Sequence, residues 1–231
     1  MTTPFRSVDE GHSPRAVLRA LLWLALMQGL RVVDTLSLLT APRVLRAHLR
    51  AGARGMFNSP HLTDGFARVE AARRAQLSKV ELTYGETPIV TARAVLRRAG
   101  VDARARVVDL GCGRGRVLLA ARALGAEARG IDLLPAHTEI IRAPYADAGI
   151  VVEDGDATRA SLGDATHVFV TWTCMSEHTR DRLTENLKTL APGTRVLTVT
   201  HPVDDDAFPV VDEVRAVFSW GIATIFVHAR R

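Results

Sequence analysis

Apolar positions along this 231-residue chain follow two regimes that meet near Val80. Before it, apolar residues recur at helical spacing. Residues 15–30 are apolar nearly all round (Leu21, Leu22, Trp23, Leu24, Leu26, Met27, Leu30), so they predict a helix that must be covered by a core, a partner or a bilayer surface. Residues 31–54 continue the helical spacing, with Pro42 placed to open a new helix at its first turn. Asn58-Ser59-Pro60 is a break, and residues 62–78 predict a polar helix rich in Ala and Arg. After Val80, short β-rich runs alternate with helical ones. The pattern predicts helices at 87–99, 114–124, 135–147 and 176–190. Strands are predicted at 106–110, 127–131, 150–153, 167–171 and 194–200, followed by a terminal pair, Val214 to Ser219 and Ile222 to Ala229. Gly100, Gly125, Gly149 and Gly193 stand where helices should stop. Repeated β-α-β units imply an α/β fold: a mostly parallel sheet with helices on both faces and an antiparallel C-terminal strand at one edge. The division expected is a disordered tail (1–14), a helical N-terminal extension (15–78) and a ligand-binding domain (79–231).

Ligands of such sheets bind at the carboxyl ends of the strands, and four strand ends here carry suitable groups. The first runs Val107-Val108-Asp109-Leu110-Gly111-Cys112-Gly113-Arg114-Gly115 straight into an Ala/Leu-rich helix. Alternate glycines allow a tight turn and close approach of a ligand to bare backbone, and the helix start offers N–H donors. The spacing is not the dinucleotide fingerprint Gly-x-Gly-x-x-Gly. An acid at 109 would repel a pyrophosphate but suits a cationic aminoacyl group, which favours S-adenosylmethionine (AdoMet) over NAD. The second strand ends in Asp132, whose two oxygens match the vicinal diol of a ribose. Beyond the third, Asp156 can accept from an adenine amino group, with Ala157 beside the ring. The fourth leads into Thr171-Trp172-Thr173-Cys174-Met175, where methyl group and acceptor should meet.

Thr83-Tyr84-Gly85-Glu86-Thr87-Pro88 precedes the glycine loop by about twenty residues. With that loop, it resembles the non-SET protein-lysine methyltransferases typified by the "disruptor of telomeric silencing" histone enzymes. It is also similar to the related membrane-associated lysine methyltransferases of mitochondria and bacteria. The resemblance spans roughly residues 80–202 and implies a Rossmann-like class I methyltransferase fold. It implies that Tyr84 and Thr87 contact the carboxylate and amino groups of AdoMet while Glu86 braces their loop. Asp109, Gly111, Gly113 and Arg116 would line the methionine and ribose side, Asp132 the ribose and Asp156 the adenine edge. Tyr84, Thr171 and Trp172 are the expected acceptor-pocket walls. Where the histone enzymes carry an Asn pair after strand four, this chain has Thr171-Trp172, which weakens any carry-over of their substrate. The expected reaction is in-line methyl transfer from AdoMet, leaving S-adenosylhomocysteine, to a nitrogen or oxygen acceptor. A protein lysine and a small apolar metabolite stand as alternatives, and a non-catalytic module of the same fold is more remote.

Charge changes this picture in one region only. The net charge is +5, but residues 1–78 hold eleven Arg against five acids, whereas residues 79–231 are nearly neutral. A basic N-terminal third admits an anionic partner. Nucleic acid is not the expected one, because no Asn-Pro-Pro-Tyr base pocket follows strand four. Residues 16–40 are instead expected to touch a membrane surface or a second copy of the chain. The longest uncharged apolar stretch, Ala20 to Leu30, is too short for a membrane span of ~20 residues. No cleavable signal peptide is evident. The expected location is cytoplasmic, or peripheral to a membrane. Two cysteines exclude a disulfide framework, eight His show no metal-binding spacing, and no Gly-x-Ser-x-Gly elbow supports a hydrolase.

Overall fold

The computed structural model describes residues 14–56, 77–78 and 80–231. The polar helix expected at 62–78 and the tail before Pro14 therefore lie almost wholly outside the described residues. Chain order is α1 (Pro14–Ser37), α2 (Pro42–Gly55), α3 (Ile89–Arg98), β1 (Arg106–Leu110), α4 (Arg116–Ala123), β2 (Glu127–Asp132) and α5 (Pro135–Ala146). Then come β3 (Ile150–Asp154), β4 (His167–Val170), α6 (Glu177–Leu187), β5 (Arg195–Val199), β6 (Val210–Phe218) and β7 (Gly221–Ala229). The seven strands are ordered β3-β2-β1-β4-β5-β7-β6. The first five are parallel, and β7 runs antiparallel to both neighbours. The antiparallel strand is thus inserted beside β5, and β6 forms the edge.

Strand order decides where ligand can bind. β1 lies between β2 and β4, with Leu110 level with Ile131 and Val170. The chain leaves β1 for one side and returns through β4 on the other, so a crevice opens above the carboxyl end of β1. The central strands β1, β4 and β5 are buried almost throughout because both faces are covered. One face carries Ile89, Leu96, Val117, Leu118, Ile141 and Tyr145 from α3, α4 and α5. The other carries Leu162, Trp172, Leu183, Leu187 and Phe208.

The N-terminal helices join the first of these cores. Leu38, Val44, Ala47 and Ala51 belong to the same buried cluster as the α3–α5 face. Asp34 fastens α1 to the sheet domain. It is 1% exposed, and its Oδ1 accepts from the Val90 amide at 2.9 Å, supplying the N-terminal cap that Pro88 cannot give α3. The Trp23 indole donates to the Ser219 carbonyl at 3.1 Å. Several apolar side chains of α1 stay exposed: Val17, Leu18, Leu21, Leu22, Val33 and Leu36 are each about half exposed. Among the described residues no helix is long and apolar enough to cross a membrane.

Candidate active site

Three of the loop glycines take left-handed conformations: Gly111 (φ 78°), Gly113 (φ 52°) and Gly115 (φ 68°). Space matters as well as backbone. A Cβ at Gly115 would lie 2.5 Å from the Tyr145 ring, and one at Gly113 would lie 2.9 Å from the Tyr84 ring. The loop spends most of its own amides internally. Gly111 and Cys112 donate to the Ile131 carbonyl, Gly115 donates to Cys112, and Gly113 donates to Asp132 Oδ2 at 2.7 Å. The first turn of α4, at Arg116 and Val117, lines the crevice beneath this loop, where helix N–H groups have no intrahelical acceptor.

The crevice, with the open solvent at its mouth, spans about 1100 Å³. Asp109, Asp132, Asp156, Ala157 and Thr171, from four strand ends, all line it. Asp109 is 3% exposed, and burial, with Asp132 nearby, pushes its carboxyl up to about 8. Asp132 Oδ1 accepts from the Leu134 amide at 2.9 Å, so each oxygen already holds one backbone N–H and keeps one further lone pair. Asp156 is more heavily engaged. Its Oδ1 accepts from the Thr158 amide and hydroxyl, and its Oδ2 lies 3.4 Å from Arg182. Asn186 donates to the Ala157 and Ala160 carbonyls and so fixes this turn.

A strap, residues 77–78 and 80–87, closes one wall of the crevice and is held at both ends. At its start, Glu81 Oε1 accepts from the Thr179 hydroxyl at 2.6 Å and from the Ser176 amide at 2.9 Å, at the N-terminus of α6. Oε2 accepts from the Ser78 amide. Burial opposes the charge, but these hydrogen bonds outweigh it and hold the Glu81 carboxyl down to about 2. At its far end, Glu86 exchanges backbone and hydroxyl hydrogen bonds with Ser219. Its carboxylate accepts from the Tyr84 hydroxyl at 3.0 Å and pairs with Arg116 at 3.1 Å. Burial above all, with Glu86 beside it, holds the Tyr84 phenol well above the usual tyrosine range. Thr87 is buried and faces the crevice.

One expectation needs correction. Trp172 is 1% exposed, packs in the core on the α6 side of the sheet and donates its indole N–H to the His201 carbonyl at 2.8 Å. Residue 172 alternates to the opposite face from Thr171, so only Thr171 reaches the crevice, and Trp172 is not an acceptor wall. Arg116 lines the crevice, and its guanidinium pairs with Asp34 at 2.7 Å and with Glu86 at 3.1 Å. It ties α1 to the strap. Pattern and spacing missed Glu81, Asp34 and His137. Nothing in the sequence links Glu81 to Ser176 or Asp34 to Val90, because those pairings exist only after the chain has folded back.

Residues 107–195 match a family model described as "Methyltransferase domain". An RNA methyltransferase from Salinibacter ruber, solved with S-adenosyl-L-homocysteine, aligns at 27% identity over 62% of this chain and 92% of its own, with TM-score 0.52. The chain carries an AdoMet-dependent methyltransferase domain. TrmN from Thermus thermophilus shares the fold at 19% identity and TM-score 0.55, over 71% of this chain and about half (52%) of its own. A protein solved for the conversion of a disulfide bond into a thioacetal group in echinomycin biosynthesis shares it too, at 18% identity and TM-score 0.51, over 71% and 92%. No curated protein has significant sequence similarity to the methyltransferase. Among its described residues, no three His, Cys, Asp or Glu side chains group to hold a metal ion.

Proposed function

We propose that this methyltransferase transfers the AdoMet methyl group to an amine nitrogen, that of a protein lysine side chain. AdoMet supplies an electrophilic methyl group and leaves as S-adenosylhomocysteine. The donors fit it. Asp109 would hold the α-ammonium, whose positive charge restores ionisation to a carboxyl that burial keeps neutral. The spare lone pairs of Asp132 would take the ribose hydroxyls. Asp156 Oδ2 and the turn at Ala157 would meet the adenine edge. Tyr84 and Thr87 would close on the aminoacyl end, and Gly111 and Gly113 would let it approach the backbone.

The observation that carries the choice of acceptor is the chemistry near Thr171. The crevice that Thr171 lines is also walled by Leu82, Thr83, Met175 and Thr179. The strap carboxylate Glu81 is spent on four donors and is a poor base. The nearby Tyr84 phenol stays protonated. A hydroxyl acceptor would call for a general base. A neutral amine attacks through its own lone pair and loses its proton to water afterwards, and an apolar wall favours the neutral form. A small amine or apolar metabolite is the alternative acceptor. The Salinibacter ruber neighbour favours RNA as a third.

The deciding experiment incubates the purified protein and methyl-labelled AdoMet with cell extract. Label in protease-sensitive material that yields methyl-lysine on hydrolysis is expected. Label that passes a small-molecule filter, or is released by ribonuclease, would replace the lysine reading.

We also infer that α1 rests on an anionic lipid surface. Its outward face is apolar for most of its length. From Pro14 to Met56 the chain holds seven Arg and a single acid, Asp34, which is buried. That combination complements an apolar interface beneath negatively charged headgroups.

A further inference from the structure

His137 sits in the third position of α5, five residues beyond Asp132, and lines the crevice. It is 3% exposed, and neither ring nitrogen has a hydrogen-bond partner. Nδ1 lies 3.5 Å from Asp132 Oδ1, but the pair makes no hydrogen bond. The ring is held from the other side by Tyr84, with centroids 4.8 Å apart and planes tilted by 52°. Tyr84 in turn lies over Gly113, whose amide bonds the second oxygen of Asp132. Loop, strap and α5 therefore converge on an imidazole whose donor and acceptor are both idle.

Buried polar atoms are nearly always paired, and leaving them unpaired costs stability. Packing alone does not explain a histidine here, since a phenyl ring would fill the same space beside Tyr84 without that penalty. A group with both a hydrogen to give and a lone pair to share, bound next to Asp132 Oδ1, would relieve it. Resting on the AdoMet reading of this crevice, we propose that His137 is a second ribose ligand: its imidazole hydrogen-bonds the ribose hydroxyl that Asp132 Oδ1 accepts. The hydroxyl donates to the carboxylate and accepts from the imidazole N–H, so one hydroxyl bridges the two side chains and pairs one of the two idle ring nitrogens. The Tyr84 ring, fixed by Glu86, keeps the imidazole at that edge of the crevice.

The test measures calorimetric affinity of the full-length wild type and His137→Phe for S-adenosylhomocysteine and for its 2′-deoxy and 3′-deoxy forms. Phe keeps the aromatic contact with Tyr84 and removes both nitrogens. The substitution should weaken binding of the complete ligand about tenfold. It should cost almost nothing against the one deoxy form that lacks the shared hydroxyl. Without ligand, the variant should melt at or above the wild-type temperature. Affinity within twofold of wild type, or an equal loss against all three ligands, would overturn the assignment. Failure of the wild type itself to bind S-adenosylhomocysteine would instead remove the reading on which this rests.

Discussion

Asp109 shows how one residue can couple the crevice to pH. Its carboxyl is pushed up to about 8 by burial and by Asp132, whereas an unfolded Asp titrates near 3.8. Between those values the unfolded chain ionises it and the folded chain does not, so this group withdraws stability as pH rises from about 4 to about 8. Asp109→Asn should therefore raise the melting temperature of the ligand-free protein more at pH 8.5 than at pH 5, as followed by thermal unfolding. The same residue makes AdoMet binding release a proton near neutrality if it pairs with the α-ammonium. Wild-type affinity should then climb between pH 6 and 8, and binding heats should depend on buffer ionisation. Both effects should vanish in Asp109→Asn. Spacing alone pointed to Asp109, because an acid two residues before the glycine loop is a local pattern. Its protonation was not legible, because desolvation is a property of the packed sheet.

The strap and α1 act as elements whose anchors lie far away in sequence. Glu81 is held down to about 2 by the N-terminus of α6, against an ordinary value of 4.5. A depressed carboxyl contributes stability that is complete above the unfolded value and lost as pH falls toward 2. Glu81→Gln should thus lower the melting temperature at pH 7, and the gap to wild type should close as the pH is taken down through 4.5. Asp34 is a stronger anchor because it is buried. Asp34→Ala strips α3 of its cap and leaves Arg116, only 16% exposed, with Glu86 as its one remaining ion-pair partner. Breaking such a pair costs about 3 kcal/mol, to be read from denaturant unfolding. The helices at 89–98 and 177–187 were predicted within a few residues, since amphipathic spacing acts locally. That the single acid of α1 points inward could not be read from spacing.

The molecule as a whole presents two unlike faces: a crevice over the carboxyl ends of the strands and an apolar helix beside it. A lipid-bound enzyme is expected to sediment with vesicles rich in anionic phospholipid and to remain in solution with purely zwitterionic ones. Leu22→Glu together with Leu26→Glu, both on the exposed side of α1, should abolish sedimentation and leave S-adenosylhomocysteine affinity intact. A wild type that ignores vesicles but runs as a stable dimer in size-exclusion chromatography would assign the face to a second copy. Local signals carried the alternation of strand and helix, the glycine loop and the acids at 109, 132 and 156, because each depends on residues a few positions apart. Folding alone could decide that β7 enters beside β5, that Trp172 turns into the core while Thr171 faces the crevice, that Arg116 answers to Asp34 and that His137 stands beside Asp132. Those outcomes arise from contacts between segments dozens of residues apart, and burial and pairing, unlike periodicity, exist only once such segments meet.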